Sequence, residues 1–267
     1  MNIKNILNNK KLFISVIVLA VFIVATVIII SVCRDDSAVN TDSDSENSSV
    51  IASQNDSDIL SGDSTFLVAV VNDSKEIVFS MLADFKIYSQ KLILTALSVE
   101  TVAYDGRTYG ESYSYGGINL LKQSVEETRN IDIDRFVVIN RSGFSKLTEL
   151  LGDVTLYVEE DFTYDSTDKT YSVSKGENEM GSDMLYTYIT MLAEKNNGNQ
   201  EVIEMICDII NMYIDNIDSS DYEGLFCDVS NCFSTDLTIS DFYTAKSDIE
   251  YLMTDGFECV LHNNVDE

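Results

Sequence analysis

Ser112–Val158 reads SYSYGGINLLKQSVEETRNIDIDRFVVINRSGFSKLTELLGDVTLYV, and its hydrophobic period changes along its length. Tyr115-Gly116-Gly117 reads as a turn. Ile118, Leu121 and Val125 then follow at helical spacing with charged residues between them. Phe136–Ile139 is β-branched and aromatic, as strands are. Ser142 is placed as the N-cap of a second helix whose apolar face is Phe144, Leu147, Leu150 and Leu151, with Gly152 as its stop. Val154–Val158 is the next strand. A strand between two helices, with another strand following, predicts an α/β domain.

The flanks extend this alternation. Phe66–Val71, Val78–Phe85 and Lys91–Ser98 read as strands, the second and third joined as a hairpin around Lys86–Gln90. Met184–Leu192 and Glu201–Ile214 read as helices, the latter with Val202, Met205, Ile206, Ile209 and Ile210 inward. Ser240–Leu252 reads as a last helix. The expected fold is a mixed central sheet with flanking helices, an α/β sandwich preceded by one transmembrane helix.

That helix is expected from Leu12 to Val32, an unbroken apolar run of roughly 30 Å as a helix, the thickness of a bilayer core. Lys4, Lys10 and Lys11 precede it, and the first acids are Asp35 and Asp36, so the N-terminus is expected inside and the rest outside. The run is too long for a signal-peptide core, and Val32 before Cys33 is a poor residue for a lipoprotein site. The expected division is a cytoplasmic N-terminus at 1–11, a signal anchor at 12–33, an acidic linker at 34–63 and an extracytoplasmic domain at 64–267. The linker is rich in Ser, Asp and Asn and has too few large apolar residues to offset the entropy of ordering.

With 45 acids against 17 bases, the net charge is −28. Nucleic-acid binding, which needs clustered Lys and Arg, is excluded as an expectation. Cys207, Cys227, Cys232 and Cys259 allow three disulfide pairings, and spacing does not choose among them. Cys227 with Cys232 would close a local loop; Cys207 with Cys259 would tie a helix to the C-terminal tail. His262 is the only histidine and fits no zinc-ligand spacing, and no Ser-His-Asp, Cys-His or P-loop pattern offers other chemistry.

The order of motifs in Ser112–Val158 resembles the LytR-CpsA-Psr family of cell-envelope proteins. The resemblance rests on the Tyr-x-Tyr-Gly-Gly step, the IDID step into a strand, and a helix ending Leu-Gly before the next strand, although Asp153 replaces a second glycine. FLVAVVNDSK, KGENEMGSDMLYTYI and FSTDLTISDF extend it over roughly Phe66 to Leu252. The resemblance implies an apolar groove for a polyprenyl chain. It also implies transfer of a glycopolymer from polyprenyl pyrophosphate to peptidoglycan, with Mg²⁺ and arginines on the pyrophosphate and aspartates at the reacting centre. Such a charge is spread over several oxygens, so arginine forks or a metal must offset it.

This sequence departs from the pattern at those positions. The family's Asp-Thr falls near Ile77-Val78, and its Pro-Arg-Asp-Thr falls on Ser98-Val99-Glu100-Thr101. Its paired arginines fall near Ile189–Leu192, and its arginine-rich helix entry falls on Gly198-Asn199-Gln200-Glu201. Glu100, Arg107 and Arg141 remain as candidate site residues. The tyrosines Tyr104, Tyr109, Tyr113 and Tyr115 are expected as half-buried strand and turn aromatics rather than sugar-stacking surfaces. The expected function is that of a catalytically degenerate member that binds a lipid, a glycopolymer or a protein partner. An active phosphotransferase using Mg²⁺ is the alternative, and a surface sensor or adhesion domain is a further one.

Overall fold

The structure is a computed structural model that describes residues 63–151, 153–165, 170–195, 198–213, 232–237, 248, 251–252 and 257–262. The expected anchor at Leu12–Val32, Cys227, Gly152 and most of the expected helix at Ser240–Leu252 lie outside the described residues. No helix among the described residues is long and apolar enough to cross a membrane.

Six strands form one mixed sheet. In chain order they are β1 (Ser64–Val71), β2 (Ile77–Lys86), β3 (Lys91–Leu97), β4 (Arg135–Asn140), β9 (Ser234–Thr235) and β10 (Glu258–Leu261). Their spatial order is β10-β3-β2-β1-β4-β9. β1 to β3 form an antiparallel meander, while β4 runs parallel to β1 and β10 parallel to β3. Central β1 is buried on both faces, which explains its nearly continuous apolar sequence. Phe66, Val68 and Val70 share one core with Phe144, Leu185, Ile189, Val202 and Ile206. Leu67 faces the other core, with Leu82, Leu97, Tyr109, Leu121 and Val125.

Among the described residues, helix α1 (Tyr109–Arg129) therefore covers one face alone, and α2 (Arg141–Leu151), α3 (Ser182–Ala193) and α4 (Gly198–Tyr213) pack in the core on the other. Two small antiparallel pairs lie beside this sandwich. β5 (Val154–Val158) pairs with β8 (Gly176–Met180), and β6 (Phe162–Asp165) pairs with β7 (Thr170–Val173). The sequence reading placed β5 but missed the other three, because GENEM at β8 buries only Met180 and reads as polar loop.

Three local expectations change. Tyr115-Gly116-Gly117 is not a turn ahead of a helix but an interruption inside one. α1 starts at Tyr109 on a capping box, in which Glu111 N–H donates to Thr108 Oγ1 (3.1 Å) and Thr108 N–H to Glu111 Oε2 (2.8 Å). The break is at Gly117, whose φ of 66° favours glycine. Second, Ser142 does not cap α2. Asn140 Oδ1 accepts the Gly143 N–H at 2.8 Å, so Asn140 does. Third, Asp63 belongs to the domain, since its Oδ1 accepts the Ile87 N–H at 3.0 Å and its carboxylate pairs with Lys86. The Thr235-Asp236 step pins the edge of β4. Thr235 Oγ1 donates to the Phe136 carbonyl, and Asp236 Oδ1 accepts the Phe136 N–H at 2.8 Å.

The Tyr109 hydroxyl is fully buried without a hydrogen-bond partner among the described residues. A buried unpaired hydroxyl costs about 1–3 kcal/mol. Tyr109→Phe should therefore raise stability, by about 1 kcal/mol in urea unfolding. A loss of that size would mean that the hydroxyl is bonded in solution.

Candidate functional site

One cavity of about 1000 Å³ opens at the sheet edge where β1 turns into β2 and β3 ends. Its position follows from local chemistry. Asn72 closes the β1–β2 turn: its Oδ1 accepts the Glu76 N–H at 2.9 Å and its Nδ2 donates to Glu76 Oε2 at 2.9 Å. After β3, Thr101 N–H donates to the Ser98 carbonyl (3.1 Å), while Gly110 and Tyr109 N–H groups donate to Val99 and Thr101. Those bonds hold the Ser98–Thr101 turn against the start of α1. Asn199 Nδ2 donates to the Leu97 carbonyl at 2.7 Å and so ties the start of α4 to the same edge.

The cavity brings together residues far apart in sequence. Ile77, Val78, Ser98, Val99, Glu100 and Thr101 line it, with Thr190 of α3 and Asn199 and Gln200 of α4. These are the positions at which the resemblance calls for the family's acids and arginines. Three carboxylates (Glu76, Glu100, Glu194) and two cations (Arg129, Lys195) complete the charged wall. Lys195 pairs with Glu201 at 3.9 Å, whereas Arg129 pairs with no carboxylate among the described residues. Arg129 was missed by sequence reasoning. It closes the last turn of α1, where a basic residue reads as a helix-dipole partner.

Of the three candidates, only Glu100 lines this cavity. Arg107 is held elsewhere, 2.7 Å from Asp105 and 4.4 Å over the Tyr115 ring. Arg141 sits where α2 and α3 begin, 3.7 Å from Asp183 and 5.3 Å over the Tyr186 ring. Burial pushes the Tyr186 phenol up to about 12 despite the opposing pull of Arg141. The tyrosine expectation splits. Tyr109 is buried and burial raises the pKa of half-buried Tyr113, but Tyr104 and Tyr115 are 79% and 77% exposed rather than half-buried.

A Mg²⁺ ion would need several oxygen ligands. Ile77 and Val78 supply none, and among the described residues no three His, Cys, Asp or Glu side chains cluster as a metal site. The residues present do not fit the ion. The cavity wall is mostly polar. The apolar faces of α3 and α4 pack on the sheet within the core, through Tyr188, Ile189, Val202 and Ile206 against Phe79 and Met81.

A mixed sheet covered by helices on both faces, with a polar cavity at the β1–β2 turn, defines the class as an α/β sandwich. The model of the LytR_cpsA_psr family matches residues 62–262, and the chain belongs to that family. A Bacillus licheniformis protein described as polyisoprenyl-teichoic acid–peptidoglycan teichoic acid transferase TagU is 27% identical over 143 residues, covering 51% of this chain and 44% of the relative. The Bacillus subtilis protein of the same description is 27% identical over 141 residues, covering 51% and 45%. This chain thus spans about half the length of the curated relatives it matches. The fold is similar to the crystal structure of B. subtilis TagV, with TM-score 0.60 and 14% identity over 77% of this chain and 86% of that one. It is also similar to a Eubacterium siraeum protein, with TM-score 0.62 and 16% identity over 83% and 93%.

Proposed function

We propose that this protein is a membrane-anchored, extracytoplasmic member of its family that binds cell-wall glycopolymer at the β1–β2 edge and does not transfer it. The observation that carries this reading is the cavity wall. Where a pyrophosphate would need converging cations, the cavity presents Ile77, Val78 and Val99, and three glutamates against two cations. Pyrophosphate in such a field is repelled, and each missing donor to a developing oxyanion costs about 10²–10³ in rate. Hydroxyls of Ser98 and Thr101 and amides of Asn199 and Gln200 suit the hydroxyls of a sugar chain. The polar wall supports glycan recognition more than recognition of a polyprenyl tail.

The test is to give the full-length protein in detergent a polyprenyl-pyrophosphate-linked glycopolymer, Mg²⁺ and peptidoglycan. The expected result is no transfer, together with retention of the free glycopolymer that Asn199→Ala or Gln200→Ala weakens. Transfer that Glu100→Gln abolishes would overturn the proposal.

Arg129 and Lys195 favour a second reading, an active phosphotransferase. Both line the same cavity as Glu100, so two cations share its wall with that carboxylate. That reading expects Arg129→Ala to abolish transfer.

The topology is part of the proposal and rests on Lys4, Lys10 and Lys11 before the apolar run and on the acids after it. Protease added to intact, wall-stripped cells should digest the domain and spare the N-terminus. Protection of the C-terminal part would reverse the orientation.

A further inference from the structure

The structure brings Cys207 of α4 and Cys259 of β10 together, and we propose that they form a reversible disulfide clasp that locks the C-terminal strand onto the domain. The inference stands apart from the reading of the polar cavity. The two cysteines are 52 positions apart in sequence, yet both lie buried in one core, with Cys207 5% and Cys259 2% exposed, and one amide, that of Asn211, reaches both. Both are present as thiols.

The surroundings hold this pair in register. β10 lies at one end of the sheet, so among the described residues one side of its backbone lacks a neighbouring strand. Asn211, one helical turn after Cys207, takes that place. Its Nδ2 donates to the Cys259 carbonyl at 2.7 Å and its Oδ1 accepts the Cys259 N–H at 2.8 Å. The same Nδ2 lies 3.7 Å from Cys207 Sγ. A single amide thus fixes the backbone of one cysteine beside the sulfur of the other. On the inner side, β10 pairs with β3 through Cys259 opposite Leu92.

The two thiols are also unequal. The hydrogen bond from Cys259 holds the Cys207 thiol below its ordinary range, and that same bond, with burial, pushes Cys259 up. Cys207, whose Sγ also has the Asn211 amide N–H group 3.7 Å away to stabilise a thiolate, is the attacking sulfur and Cys259 the resolving one. With a disulfide as oxidant, the Cys207 thiolate attacks one of its sulfurs and releases the other as a thiol. Cys259 then loses its proton to solvent, attacks Cys207 Sγ, and expels the second thiol. Two protein thiols become one disulfide, and the oxidant is reduced to two thiols. Access comes from opening β10, a strand of four residues at the sheet end.

The test uses full-length protein in detergent, incubated with glutathione disulfide and then alkylated after denaturation. Peptide mapping should find Cys207 joined to Cys259, reversed by dithiothreitol. The oxidised protein should melt about 5–10 °C above the reduced one, because the link closes a long loop in the unfolded chain. Cys259→Ser should trap a mixed glutathione disulfide on Cys207, and Cys207→Ser should leave Cys259 unmodified. Full alkylation of both cysteines after oxidation, or a link from either to Cys227 or Cys232, would overturn the proposal. The wild-type map alone decides this if a variant fails to fold.

Discussion

Phe144→Asp should abolish the cooperative unfolding transition. Phe144 is 2% exposed on the inner face of α2, and its ring meets Tyr186 of α3 edge-on at a centroid distance of 5.6 Å. Burying a phenylalanine contributes about 1.5–3 kcal/mol, all of which the aspartate loses. The new carboxylate would also sit in a core of Leu147, Leu185 and Ile139. An unpaired buried charge costs several kcal/mol more. Against a total stability of about 5–15 kcal/mol, the sum unfolds the domain or leaves it on the margin. Circular dichroism on heating checks this; an unchanged melting temperature would show that α2 does not pack on the sheet as described. Phe144→Leu keeps an apolar side chain and should stay folded, with a lowered midpoint.

Gly143→Ala should cost about 2–4 kcal/mol, although alanine favours helices. A Cβ at Gly143 would lie 1.8 Å from the Cys232 carbonyl oxygen and 2.9 Å from its carbon. Those are backbone atoms, so either α2 or the segment that leads into β9 must move. That movement would strain the Thr235 and Asp236 bonds to Phe136 that hold β9 on β4. The melting temperature should fall by about 5–15 °C. Gly110→Ala provides the control. There the nearest atom to the new Cβ is the Val99 oxygen at 3.5 Å, an ordinary contact, and Gly110 is helical. It should be neutral or slightly stabilising. If both substitutions behave alike, the close approach of α2 to Cys232 is absent in solution.

The sequence by itself determined the kind of each long element and which face of it is buried. The strands around Phe66–Val71 and Val154–Val158, and the helix faces at Leu121/Val125 and Phe144/Leu147, follow from local spacing of apolar residues. That spacing is a property of the chain over a few residues, because a side chain's direction repeats every 2 or 3.6 positions. The family resemblance was legible for a similar reason, since the glycine steps and strand entries keep their order along the chain. The cap of α2 was misassigned by two residues because Asn140 and Ser142 are both good caps, and only the geometry chooses between them.

Tertiary structure decided everything that depends on distant segments meeting. No local pattern says that β10 joins the sheet beside β3, or that β4 lies parallel to β1. The pairing of β8 with β5 rests on backbone hydrogen bonds that almost any sequence can make, so GENEM carried no strand signal. The same holds for the site. Glu100 was visible, but its neighbours Arg129 and Lys195 reach the cavity only because α1 ends and α3 ends at one edge of the sheet. Arg107 and Arg141 looked equally available in the sequence, and the fold commits each to an acid and an aromatic ring elsewhere. Charge and residue type are local facts, whereas proximity is set by which apolar faces bury one another.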